Sequence, residues 1–146
     1  MSADLRTRSV WPYALAAIVS LIGLGDSIYL TIEHLTGQSV RCTIIAGCSE
    51  VLGSSYAVMA GIPLATVGVA AYFGVFSLAT LGAFGYRLAG TLLAILVGIM
   101  FLMTLWLLYL QAFVIHHFCQ FCLLSALVTF VLTGLVIAQR RLRKVP

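Results

Sequence analysis

Two pairs of cysteines are the residues of this 146-residue chain best suited to chemistry. Cys119 and Cys122 stand one helical turn apart in Phe118-Cys119-Gln120-Phe121-Cys122, at the head of the last long apolar segment. Cys42 and Cys48 enclose Thr43-Ile44-Ile45-Ala46-Gly47, a short segment able to carry a thiol from one partner to another. A C-x-x-C pair can be redox-active, bind a metal or close a structural disulfide, and the upstream pair can equally be a plain loop disulfide. If a helix begins at Cys119, its dipole and unpaired N–H groups favour a thiolate there. Cys122 then lies on the same face, one turn further in. Exchange needs an attacking thiolate and an accepting disulfide, so two dithiols can hand oxidation along a relay.

The elements that must position these sulfurs are membrane helices. Hydrophobic residues make up 62% of the chain and charged residues only 8%, where a soluble domain carries about 25% charged. A span needs about 20 apolar residues, and four stretches qualify, at about 11–35, 61–81, 89–115 and 119–138. A cleaved signal peptide is the alternative for the first, but no small-residue cleavage site follows it. Between the first two spans, 36–60 is the least membrane-like interior stretch. There Ser54 or Ser55 is placed to cap a short interfacial helix running to Met59. Pro63 is expected in the first turn of the second span, where proline is tolerated. The expectation is a single all-α domain, a four-helix membrane bundle.

Charge sets its orientation. Arg6, Arg8, Arg87, Arg140, Arg141, Arg143 and Lys144, seven of the eight basic residues, fall on one face, and only Arg41 falls opposite. By the positive-inside rule the termini are cytoplasmic. The net charge of +4 then reflects residues flanking the spans and implies no nucleic-acid partner. All four cysteines come to lie on the outer side, where disulfides persist.

In this arrangement the chain resembles the vitamin K epoxide reductase family, in particular its prokaryotic quinone-linked, disulfide-forming branch. The matching residues are Cys42 and Cys48, then Ser54-Ser55-Tyr56-Ala57, then Gly61-Ile62-Pro63-Leu64, and finally Cys119-Gln120-Phe121-Cys122 with Leu123-Leu124-Ser125-Ala126. The resemblance implies a helical bundle around a quinone of the menaquinone, ubiquinone or vitamin K type, capped on its outer side by the loop and short helix. It implies that Cys122 faces the quinone, that Cys119 exchanges with Cys48, and that Cys42 meets a thioredoxin-fold partner. Ser54 matches the family's functional serine. Many prokaryotic members continue into a fused thioredoxin-like domain. This chain ends at Pro146, so its partner is expected to act in trans. Animal members carry a tyrosine four residues after the second helix cysteine, where this chain has Ala126. That leaves the hydrogen bonding of the quinone unassigned and argues against epoxide reduction.

Asp26 is a carboxyl in the outer part of the first span, where ionisable groups are costly and often functional. It is either a proton-handling group or an acid near the interface with a polar partner. His116 and His117 read as interfacial residues of a tight turn. The competing function is a non-catalytic metal-binding membrane protein using the four cysteines and a histidine. Zinc pairs usually space their cysteines more closely than Cys42 and Cys48. Ala65, Gly68 and Ala71 form a small-residue stripe suited to close helix packing.

Overall fold

The structure, a computed structural model, describes residues 2–37, 55 and 58–144. Four helices organise it: α1 (Ser2–Leu35), α2 (Leu64–Ala83), α3 (Arg87–Tyr109) and α4 (Gln120–Lys144). The segments long and apolar enough to cross a membrane are Val10–Leu35, Leu64–Ala83, Arg87–Ile115 and Gln120–Lys144. Polar termini need not leave the helix when they leave the bilayer. α1 therefore begins at Ser2, ahead of its apolar run, and α4 continues through Arg140–Lys144 because arginine and lysine are good helix formers.

Each helix packs against its neighbours in sequence, and α1 also packs against α4, which closes a ring. The central cluster is Tyr13 and Ala16 from α1, Tyr72, Val75 and Ala79 from α2, Leu93 and Val97 from α3, and Val128, Leu132 and Val136 from α4. The opposite faces carry large apolar side chains outward, among them Ile95, Ile99, Leu102 and Trp106 on α3. In a soluble protein such a surface would aggregate, whereas here it is the lipid-facing side.

Two tyrosines lock the ring, each seated on a glycine. Tyr72 Oη shares a 2.6 Å hydrogen bond with Ser125 Oγ and approaches Thr129 Oγ1 at 3.3 Å, joining α2 to α4. Its ring occupies the place a Cβ would take at Gly23 of α1. Tyr13 lies against Gly82 in the same way, and Gln139 Nε2 donates to Tyr13 Oη at 2.6 Å, joining the first span to the last. Gly68 lets α2 approach α1 closely: a Cβ there would lie 2.8 Å from Ser27 Oγ.

One local expectation is corrected. Val58–Met59 and Ile62–Pro63 form a two-stranded antiparallel hairpin, β1 and β2, with Val58 opposite Pro63 and Met59 opposite Ile62. No helix therefore runs to Met59. The two turn residues, Ala60 (φ 53°) and Gly61 (φ 81°), are both left-handed, as in the primed turns that suit hairpins. Pro63 (φ −59°, ψ 134°) consequently stands just before α2, as its N-cap, and not within its first turn. The proposed capping residue Ser54 lies outside the described residues, as do Cys42 and Cys48.

Candidate redox site

α3 does not end as an α-helix. Leu110–Ile115 widen into a π-helix, and His116 then turns the chain in a left-handed conformation (φ 60°, ψ 23°). Non-glycine residues visit that region rarely, histidine more than most. π-helical turns are uncommon and often mark functional positions. The widening allows the reversal into α4 to be completed within 116–119. It also presents Gln111, only 3% exposed, to the far side of the turn, where its Oε1 accepts from the Cys119 backbone N–H at 3.1 Å.

Cys119 is the N-cap of α4. Its carbonyl accepts the first helical hydrogen bond, from the Leu123 N–H at 2.9 Å. Its sulfur accepts from the Cys122 side chain and from the backbone N–H groups of Cys122 and Phe121. An N-cap side chain ordinarily offers oxygen to these orphan donors, and here a sulfur takes that place. The Cys119 thiol accordingly titrates at about 7 instead of its ordinary 9.0. The Cys122 hydrogen bond is the largest cause, burial opposes it, and the two backbone donors assist. The pair is thus a readily ionised thiol with a second thiol donating to it.

The sulfurs sit in a small apolar cluster of their own. Leu30 of α1 and Cys119 are buried together, with Ala65, Ile115, Phe121 and Cys122 packed around them. The Tyr29 and Phe121 rings meet at 5.2 Å, holding the C-terminal part of α1 against the start of α4. One turn before Leu30 on the same face of α1 is Asp26, 8% exposed. Neither of its carboxyl oxygens has a hydrogen-bond partner. Its field reaches Tyr72, Cys119 and Cys122.

Of the residues singled out from the sequence, Cys119 and Cys122 come together at this end of the bundle. Cys42, Cys48 and Ser54 lie outside the described residues. His116 is exposed and His117 half-buried. Among the described residues no three His, Cys, Asp or Glu side chains cluster as metal ligands. Gln111 was not foreseen. Its only signal is an amide within the long apolar run of the third span, where a polar side chain is expected to have a partner.

A membrane-embedded helical ring presenting a vicinal dithiol, one sulfur activated at a helix N-terminus, defines a membrane thiol–disulfide oxidoreductase. The sequence profile of the vitamin K epoxide reductase family matches residues 14–137. The chain belongs to that family, whose members use quinones. The residues around the dithiol fit such a group. Leu30, Ala65, Ile115 and Phe121 supply apolar and aromatic surface, and Asp26 holds two unpartnered polar atoms at its edge.

Proposed function

We propose that this protein oxidises the thiols of a thioredoxin-fold partner outside the cytoplasm and passes the electrons to a membrane quinone. The observation that carries the reading is the Cys119 sulfur at the N-terminus of α4, hydrogen-bonded by Cys122 and packed in an apolar cluster. Thiol–disulfide exchange requires a thiolate, and its rate is best when the attacking thiol titrates near ambient pH. Cys119 meets that requirement. Cys122, one turn deeper, is the sulfur on the quinone side. Electrons enter at Cys42, pass to Cys48 and from there to Cys119, with Ser54 beside the site. Bound next to Cys122, the quinone supplies an acceptor for two electrons and two protons.

The distribution of basic residues supports the orientation: both termini and Arg87 face the cytoplasm, and the 116–119 turn and the hairpin face outward.

The test is to reduce the purified protein and count thiols by alkylation and mass, before and after adding a quinone. Thiols should disappear in step with quinone reduction, and Cys122→Ala should block both. Persistence of the wild-type thiols, with zinc co-purifying in stoichiometric amount, would establish the metal-binding alternative instead. The order of transfer has its own check. Cys122→Ser should trap a Cys48–Cys119 disulfide, and finding Cys119 bonded only elsewhere would overturn that order.

A further inference from the structure

Among the described residues, the buried side-chain atoms lacking a hydrogen-bond partner are the two Asp26 carboxyl oxygens and Gln139 Oε1. Gln139 belongs to the far end of α4, beside Tyr13. Among the described residues Asp26 is therefore the only such group at the dithiol end. Two other described polar side chains in this half of the bundle have partners: Tyr72 Oη has Ser125 and Thr129, and Thr31 Oγ1 has the Ser27 carbonyl at 2.8 Å. An ionisable group without a partner at this depth is expensive, and a hydrogen-bonding ligand beside it would lower that cost. Ala126, one turn beyond Cys122 and 5% exposed, offers nothing that could bind a carbonyl oxygen.

We propose that Asp26 is the hydrogen-bonding and proton-transferring group for the quinone, an inference that rests on the quinone-linked reading above. Asp26 shares a face of α1 with Leu30, which packs on the sulfurs, and its field is felt at both Cys119 and Cys122. Closing the Cys119–Cys122 disulfide breaks two S–H bonds, forms one S–S bond and releases two electrons and two protons. All of these end on the quinone, which leaves as the hydroquinone. One of the protons passes through the Asp26 carboxyl, which gains it from the thiol side, yields it to a quinone oxygen and returns to its starting state. A protonated carboxyl donates and an ionised one accepts, so a single side chain serves both halves of the transfer.

The experiment uses the intact protein in lipid nanodiscs, with menadione and a short-chain ubiquinone as probes. The chain has two aspartates, Asp4 and Asp26, so carboxyl-¹³C aspartate labels few groups. Infrared difference spectra on adding either quinone should show a labelled carboxyl band that persists in Asp4→Asn. Asp26→Asn should abolish the band and slow quinone reduction by about a hundredfold or more, the lower end of the range for proton-transfer groups. Asp26→Glu should restore most of the rate. Absence of any labelled carboxyl change in the wild-type protein overturns the proposal, and that reading does not depend on a variant folding. So does an Asp26→Asn protein that reduces quinone at the wild-type rate. If wild-type thiols are not oxidised by quinone at all, the quinone-linked function itself is lost. If they are oxidised but Asp26 is silent, only the present inference falls.

Discussion

The Cys119 backbone N–H donates to Gln111 Oε1 at 3.1 Å, tying the N-cap of α4 to the π-helical turn that closes α3. Both groups are buried, so the bond cannot be exchanged for one to water. Replacing Gln111 by Leu leaves a buried N–H unsatisfied, which costs about 1–3 kcal/mol. The Gln111→Leu protein should melt at lower temperature in detergent and should oxidise dithiols more slowly, because the cap that orients the sulfur is loosened. Unchanged melting and an unchanged oxidation rate would show that this bond positions nothing.

The Cys119 thiol titrates at about 7, below its ordinary 9.0. The thiolate is thus populated above about pH 7 and lost as pH falls below it. With Cys42 and Cys48 replaced by Ser, the rate of Cys119 alkylation by iodoacetamide should rise about tenfold per unit below pH 7 and level off above it. Cys122→Ala removes the donor that contributes most to the lowering and should move the inflection upward, toward 9.0. An inflection near 9 in the parent protein would refute the capped-thiolate geometry.

Glycines separate into those that packing requires and those it does not. A Cβ at Gly23 meets the Tyr72 ring, whereas a Cβ at Gly98 meets nothing within 4 Å. Gly23→Ala should destabilise the bundle by about 1–3 kcal/mol through overpacking. Gly98→Ala should be neutral or stabilising, since alanine is the better helix former. Thermal melts of the two variants side by side decide the matter, and equal melting temperatures would contradict the close packing of α1 and α2.

Tyr72→Phe removes the hydroxyl that joins α2 to Ser125 and Thr129 while keeping the ring over Gly23. Side-chain hydrogen bonds between membrane helices contribute about 0.6 kcal/mol on average. The loss should be small, and smaller than that from Gly23→Ala. A larger effect would mean that the hydroxyl also organises the dithiol end.

The four spans were readable from the chain because a bilayer imposes one demand, about 20 apolar residues per crossing. The place of Cys119 and Cys122 was readable for a related reason: a polar turn followed by an apolar run marks a helix start. The hairpin was not readable. It depends on Ala60 adopting a left-handed conformation that alanine rarely takes, and Val58, Met59 and Ile62 resemble any apolar run. The role of Gln111 was hidden as well, since its bond to Cys119 exists only because the helix widens to a π-turn and the chain then reverses. Asp26 was visible as a costly residue, but its lack of a partner is a property of the packed bundle. Cys42, Cys48 and Ser54 keep the roles the family resemblance suggests, as proposals.

The bond between Gln139 and Tyr13 spans 126 positions in sequence, and this has a consequence for biogenesis. Chains are made at about 5–20 residues per second, so Tyr13 waits roughly ten seconds in the bilayer before its partner exists. Until then the bond that joins the first span to the last is unmade. Cys119 and Cys122 head the span that completes it. The same insertion event that completes the bundle therefore brings the Cys119–Cys122 dithiol to its place against Leu30.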